Sequence, residues 1–278
     1  MRYLPDEILA YPVLIKSDKG SASGFYFKTD HMLYFVTAAH VLRNIDEKDK
    51  PLNADNVTLL SYDLDPQTKT PIEINIDMTI AKIRMNDTKD IALLEIASLN
   101  GNDGLDNIEY RSGVHKVSSG NGKIVVAPLS SLKRFNKVLV SNEVFILSYV
   151  NSLGKRSKPQ IDSKRPLLRK GIVAGVNEEL GTIIIDCPTY FGNSGSLALE
   201  VEEDNSGNRY YSVIGVVSEF IPFIEQLKSV QIGYINSSWE NSGYTVVVPV
   251  DSIFDLSEEI NEYPISEDHI QTTTDNNN

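Results

Sequence analysis

Three short segments of the chain carry residue types that together can open a carbonyl compound. Ser194 sits between glycines in Gly192-Asn193-Ser194-Gly195, just ahead of the apolar run Leu197-Ala198-Leu199. His40 lies in Val36-Thr37-Ala38-Ala39-His40-Val41, and Asp90 in Lys89-Asp90-Ile91-Ala92-Leu93-Leu94. A neutral serine hydroxyl is a poor nucleophile until a base takes its proton. Histidine is the side chain that does so near neutral pH. A carboxylate fixes the tautomer of that histidine and stabilises the imidazolium. The backbone N–H groups of Gly192 and Ser194 are candidates for an oxyanion hole. Gly192 also has no side chain to block a substrate and tolerates an unusual backbone conformation. Ser194 is thus the candidate nucleophile, His40 the general base and then acid, and Asp90 the orienting carboxylate. Each segment alone has a plainer reading: a turn, a buried histidine, a strand-end cap. The order His, Asp, Ser, with apolar flanks, is what joins them.

Other chemistries fit less well. An α/β-hydrolase elbow needs a glycine two residues after its serine, where Ser196 stands, and a histidine downstream of it. The only later histidine is His269, in a polar tail. The subtilisin order puts an aspartate ahead of the histidine, but neither Asp18 nor Asp30 sits at a strand end. Four scattered histidines and one cysteine give no metal-ligand spacing, so no metal is expected. Neither a P-loop nor a dinucleotide fingerprint is present, and no cofactor is expected.

A net charge of -12 argues against a nucleic-acid partner, which needs a basic face. No apolar run approaches the roughly 18 residues of a membrane span, so no membrane partner is expected. Cys187 is the single cysteine, so no intramolecular disulfide can form, which points to a reducing compartment. Pro5, Asp6 and Glu7 interrupt the first residues where a secretory signal would carry its apolar core. These observations predict a cytoplasmic protein.

The elements that must position the three segments read as strands. Ser23 to Lys28 and Leu33 to Thr37 form a hairpin that ends near His40. Val57 to Tyr62 is a further strand. Ile72 to Ile83 alternates apolar and polar residues and reads as one half-buried strand. Ile91 to Ile96 follows Asp90. A polar stretch, 97–122, reads as a connector between lobes. Lys123 to Ala127, Glu143 to Val150, Gly171 to Val176, Thr182 to Asp186, Ser196 to Glu200, Tyr210 to Ser218 and Tyr244 to Val248 make a second series. Many short strands without a βαβ pattern mean an all-β sandwich or barrel. The pattern divides the chain into an N-terminal lobe over 1–115 with His40 and Asp90, and a C-terminal lobe over 116–250 with Ser194. A C-terminal helix is expected over 251–263, and a disordered polar tail over 264–278.

With these pieces in hand, the chain resembles the chymotrypsin-like (trypsin-like) serine peptidases, in their disulfide-free bacterial and HtrA-like branch. Thr37-Ala38-Ala39-His40, Asp90-Ile91-Ala92-Leu93, Gly192-Asn193-Ser194-Gly195 and Gly215-Val216-Val217-Ser218 carry the resemblance. Gly243-Tyr244-Thr245-Val246-Val247-Val248-Pro249 looks like the last strand before the C-terminal helix. The resemblance implies two six-stranded antiparallel β-barrels with the site between them. It implies a serine endopeptidase that cleaves protein or peptide substrates through an acyl-enzyme on Ser194. The alternative is a catalytically silent relative that binds peptides without cutting them.

The departures from the family pattern also carry expectations. Asn193 replaces the aspartate that pairs with a new N-terminus in pancreatic-type enzymes, which argues against that activation switch. Ser196 replaces the second glycine. Val217-Ser218-Glu219-Phe220 is expected to pair with substrate backbone, and the Ser218 carbonyl to accept from His40. Pro188 falls where a trypsin-type pocket carries its acid. With Thr189, Phe191 and Phe220 shaping the pocket, a small or medium apolar residue is expected before the cleaved bond. Glu219 would favour basic residues if it pointed inward. The segment 155–170 gathers Lys155, Arg156, Lys158, Lys164, Arg165, Arg169 and Lys170. Two readings stand for it: a solvated loop, or a contact for a regulatory protein partner near the site.

Overall fold

Long runs of aromatic and β-branched residues, with few breaks, characterise the strands nearest the site. The pleat of a strand sends neighbouring side chains to opposite faces, so such a run means burial on both. The computed structural model describes residues 4–18, 20–43, 56–64, 71–99, 105, 108–117, 122–150, 161–228 and 235–257. After a short helix α1 (Asp6–Leu9), the first lobe holds β1 (Pro12–Ser17), β2 (Gly20–Lys28), β3 (Met32–Thr37), β4 (Asn56–Ser61), β5 (Ile72–Asp77) and β7 (Ile91–Leu99). Three short strands flank them: β6 (Ile83–Asn86), β8 (Ile108–Tyr110) and β9 (Val114–Lys116). The order is β6-β7-β3-β2-β1-β4-β5-β9, with β8 on β7. All pairs are antiparallel. Five of the six longer strands match those read from the sequence, β1 was not among them, and the short ones widen the sheet to nine.

The second lobe is a closed barrel in the order β10-β11-β12-β15-β14-β13. Its strands are β10 (Glu143–Ser148), β11 (Leu167–Asn177), β12 (Thr182–Asp186), β13 (Leu197–Glu203), β14 (Arg209–Lys228) and β15 (Ile235–Pro249). Helix α2 (Asp251–Leu256) follows. The class is therefore all-β with a short C-terminal helix. Among the described residues, no helix is long and apolar enough to cross a membrane.

The burial pattern explains how the lobes meet. Tyr26, Phe35, Ala92 and Leu94 point into the core of the first lobe. Their neighbours Phe25, Phe27, Tyr34, Ile91 and Leu93 face the other way. There they pack with Phe145, Leu147, Leu197, Leu199, Val216 and Phe254 of the second lobe in one shared core. A third cluster, with Val144, Ile146, Ile183, Ile185 and Cys187, fills the barrel. The two strands that lead to His40 and Asp90 are thus clamped on both faces.

Several boundaries differ from the sequence expectation. The strand expected over 72–83 ends at Asp77. The Asp77 carboxylate accepts from the Thr79 N–H at 2.9 Å and the Thr79 hydroxyl at 2.5 Å, a local turn that breaks the ladder. The stretch 97–122 is not simply a connector: β7 runs on to Leu99, and β8 and β9 belong to the first sheet, which extends to Lys116. Lys123 to Ala127 is no ladder strand; only Ala127 bridges to Phe27. β14 and β15 are far longer than expected, at 20 and 15 residues. The expected helix stops at Leu256, where the Ser257 N–H and hydroxyl both donate to the Ile253 carbonyl. Its remainder, 258–263, and the tail 264–278 lie outside the described residues.

Candidate active site

His40 sits on a single 3-10 turn, Ala39–Leu42, directly after β3. Asp90 precedes β7, and β7 pairs with β3 with Thr37 opposite Ala92. That register brings His40 and Asp90 side by side. His40 Nδ1 lies 2.8 Å from Asp90 Oδ2 and 3.1 Å from Oδ1. The His40 backbone N–H donates to Oδ1 at 2.9 Å. Asp90 has a φ of 52°, a left-handed conformation rare for a residue with a side chain. Such strain persists only where the surroundings enforce it, and it gathers at functional sites.

The carboxylate of Asp90 has a further donor that sequence reasoning missed. The Ser218 hydroxyl donates to Oδ2 at 2.5 Å, from the other lobe. Burial works against ionisation of Asp90 and is the largest single influence on it. The His40 side chain, the Ser218 hydroxyl and the His40 amide together outweigh burial, and hold Asp90 below its ordinary carboxylate range. An ionised Asp90 accepting at Nδ1 leaves Nε2 of His40 free to act as a base.

Ser194 lies in the turn between β12 and β13. Gly192 and Gly195 take φ values of 98° and 85°, open to glycine at little cost. Asn193 is buried and pins the turn from within: its Oδ1 accepts from the Tyr190 N–H at 2.7 Å, and its amide donates to the Ser148 hydroxyl. The first lobe holds the turn from outside. The Ser23 N–H donates to the Ser194 carbonyl at 3.0 Å, and the Ser23 hydroxyl to the Gly192 carbonyl at 2.8 Å. The same hydroxyl accepts from the Tyr149 N–H at 2.8 Å. A Cβ on Gly195 would stand 2.1 Å from the Ser23 carbonyl oxygen and 2.1 Å from Thr37 Oγ1. Among the described residues, the amides of Gly192 and Ser194 have no backbone acceptor.

The Ser194 hydroxyl donates to the Ser218 carbonyl at 3.2 Å. That carbonyl was expected to serve His40. Among the described residues, no hydrogen bond joins Ser194 Oγ to His40. The hydroxyl gives its one hydrogen to the Ser218 carbonyl, so it must leave that acceptor before His40 can take its proton.

The residues expected to shape the pocket fall into a wall and an outer face. Thr189 is buried, with its hydroxyl 2.8 Å from that of Thr245. Thr245 donates its one hydrogen to the Cys187 carbonyl at 2.8 Å, so Thr189 is the donor to Thr245. Asn241 Nδ2 donates to the Thr189 carbonyl at 2.5 Å. Phe220 pairs with Thr245 across β14 and β15, and its ring meets that of Phe191 edge-on, 6.5 Å between centroids. Phe191 is 75% exposed and forms the rim. Pro188 is half-buried at the end of β12 and supplies no charge. Glu219 is exposed and pairs with Val246, on the opposite face from Phe220 and Thr245, so it does not enter this wall. Burial pushes the Cys187 thiol up to about 11, which keeps it a neutral, inert filler.

Of the basic segment, Lys155, Arg156 and Lys158 lie outside the described residues. Arg165 stacks on the ring of Tyr62 at 3.7 Å, and Arg169 lies over that of Tyr190 at 5.0 Å. Lys170 pairs with Glu143. Three of these cations thus engage the protein's own side chains.

Sequence reasoning missed Ser23, Thr37, Asn241 and Thr245. A signal existed for the first. Gly20-Ser21-Ala22-Ser23-Gly24 is a run of small residues opening an aromatic strand, and small residues mark close approach of another backbone.

The model of the trypsin-like peptidase domain matches residues 22–205, about two thirds of the chain. No curated protein matches the chain. Among solved structures, the chain is similar to Deg5 at 15% identity, covering 90% of this chain and 88% of that one, with a TM-score of 0.49. It is similar to the HtrA-type protease AlgW with a tripeptide at 14% identity, covering 92% and 63%, with a TM-score of 0.49. It is also similar to an inactive form of Rv3671c from M. tuberculosis H37Rv at 13% identity, covering 94% and 91%, with a TM-score of 0.43.

Proposed function

The chain belongs to the trypsin-like peptidase family and is a serine protease; on that premise, we propose that Ser194, His40 and Asp90 are its catalytic triad and that it cuts after small apolar residues. The observation that carries this reading is the bond from His40 Nδ1 to the ionised Asp90, beside a serine turn locked by the opposite lobe.

The steps follow from the positions. Substrate backbone pairs with the edge at Ser218 to Phe220 and displaces the Ser194 hydroxyl from the Ser218 carbonyl. The hydroxyl turns to Nε2 of His40, which takes its proton as Oγ attacks the substrate carbonyl carbon. The carbonyl oxygen gains the negative charge and accepts from the Gly192 and Ser194 amides, which no backbone carbonyl among the described residues occupies. Asp90 stabilises the imidazolium and stays ionised. The C–N bond then breaks, and His40 gives its proton to the leaving amine. An acyl-enzyme on Ser194 remains. Water, deprotonated by His40, attacks the ester carbon, and the proton returns to Ser194 Oγ as the acid leaves.

The pocket sets the preference. Phe220 and Phe191 close its mouth with two rings, and the hydroxyls of Thr189 and Thr245 bond to each other and to backbone. These residues carry no charge for an arginine or lysine, and their rings and methyl groups favour a small apolar side chain.

A fluorophosphonate probe tests the reading. It is expected to label Ser194, and labelling is expected to vanish in Ser194→Ala and fall by several orders of magnitude in His40→Ala. The second reading, a silent peptide binder, draws on the Ser194 hydroxyl resting on the Ser218 carbonyl. Peptide binding without labelling would decide for it.

A further inference from the structure

β14 does not end at the pocket. It runs through Phe220 to Lys228, paired with β15 over Pro222–Asn241 to Lys228–Ile235. β13 accompanies β14 only as far as Val216. Beyond it, residues 219–228 have β15 on one side and, among the described residues, no strand on the other. At about 3.3 Å per residue, the stretch 221–228 adds about 26 Å of open edge. That edge begins beside the nucleophile, since the Ser218 carbonyl lies 3.2 Å from Ser194 Oγ.

Open edges invite another chain, and proteins usually blunt them with charge, proline or brevity. Here Pro222 interrupts the edge just past the pocket, and a bulge lies between Phe220 and Pro222. Past it the arm carries exposed Glu225, Gln226 and Glu240, and among them large apolar side chains that stand uncovered among the described residues. Phe223, Ile224, Leu227 and Trp239 are 57, 46, 59 and 67% exposed. Ile224 and Trp239 stand opposite each other in register, so they form one apolar row across both strands.

We infer that the β14–β15 arm is an extended substrate-binding edge, which takes an unfolded polypeptide segment N-terminal to the cleaved bond as an added antiparallel strand. This rests on the protease reading above. The direction follows from the site. His40 must protonate the leaving amine, so the C-terminal part of the substrate lies on the His40 side. The acyl part then follows β14 away from the triad, antiparallel to it. Backbone pairing supplies affinity, and an apolar side chain beside Ile224 and Trp239 supplies selectivity. The occupant is the substrate because the edge is continuous with the one at Ser218 that meets the scissile bond.

Trp239 is the only tryptophan, which makes the arm its own reporter. Two tryptophan-free peptides are compared, both cleaved after alanine. One carries about ten residues of alternating valine and threonine ahead of the alanine, enough to span the arm; the other carries about three. In Ser194→Ala protein, the long peptide is expected to shift Trp239 emission to the blue, and the short one to leave it unmoved. In active protein, kcat/KM for the long peptide is expected to exceed that for the short by about tenfold or more. That ratio is expected to collapse toward one in Ile224→Asp, and in a chain with 223–240 replaced by an Asn-Gly turn. Fluorophosphonate labelling shows whether each variant keeps a folded site. Equal kcat/KM for both peptides with unmoved Trp239 emission would overturn the inference. So would a Trp239 shift that follows protein concentration without peptide, since it would assign the edge to a second copy. A Trp239 shift with the long peptide, in protein that never labels, would uphold the edge and defeat the protease reading instead.

Discussion

The turn that carries Ser194 and the arm that starts at Phe220 are near neighbours built on opposite terms. In the turn, buried anchors come from elsewhere in the chain: Ser23 from β2, Ser148 from β10, Val217 from β14. In the arm past Phe220, the strand partner among the described residues is the facing strand alone, and large apolar side chains stand in solvent. The difference is what the two tasks require. Attack on a carbonyl needs donors fixed to within a fraction of an ångström, and only surroundings that over-determine a backbone can do that. Selection of a polypeptide needs backbone edges and side chains that it can reach.

The largest expected effect strikes the buried side. Gly195→Ala puts a methyl group 2.1 Å from the Ser23 carbonyl at a φ of 85°. It is expected to cost about 3 kcal/mol of stability or more and to abolish fluorophosphonate labelling. Wild-type labelling by this variant would show that the first lobe does not set the turn. Next comes Ser23→Ala, which strands the Gly192 carbonyl and the Tyr149 N–H in a buried site. A loss of about 2 kcal/mol is expected in urea unfolding, with kcat lowered about tenfold or more. A loss confined to stability, with kcat intact, would separate the anchor from the chemistry.

The accessible side responds differently. Phe220→Gly is expected to leave stability nearly unchanged and to raise kcat/KM for phenylalanine over alanine before the cleaved bond by about tenfold or more. An unchanged ratio in a peptide panel would remove Phe220 from the pocket.

The smallest expected effect joins the two regions. Ser218→Ala removes one of the donors that hold Asp90 low. Because the folded-state pKa of Asp90 lies below its unfolded value, its contribution to stability is full above the unfolded value. It is lost as pH falls through the lowered one. The variant raises the folded value toward the unfolded one, so less stability is present at neutral pH, and acid unfolding begins at a higher pH. Urea midpoints between about pH 3 and 7 follow this. Superimposable acid limbs would show that Ser218 does not tune Asp90.

How much was legible varies with what each residue reports locally. Thr182–Asp186 was readable to the residue, because buried β-branched side chains alternate there. β2, β3 and β7 were readable as strands but not as a two-faced wall, since an unbroken apolar run does not say what covers each face. The break at Asp77 was misread because its Asx turn competes with a good alternating pattern. The arm was missed for a different reason. Asn236-Ser237-Ser238-Trp239-Glu240-Asn241-Ser242-Gly243 reads as turn composition, and only pairing with 219–228 makes it a strand. Ser218 was read as backbone for substrate, and its hydroxyl was overlooked because its partner lies in the other lobe.

The sequence by itself determined the reagents. A serine between glycines, a histidine after an apolar strand and an aspartate before one are fixed by residue type and order, and hydroxyl, imidazole and carboxylate chemistry follows from those types. Only the tertiary structure decided which carbonyl holds the resting Ser194 hydroxyl, which donors keep Asp90 ionised, which face Glu219 takes and how far the open edge of β14 extends. Those depend on strand register and on contacts between the two lobes. A one-residue shift in register turns every side chain of a strand to its other face, and no local pattern records it.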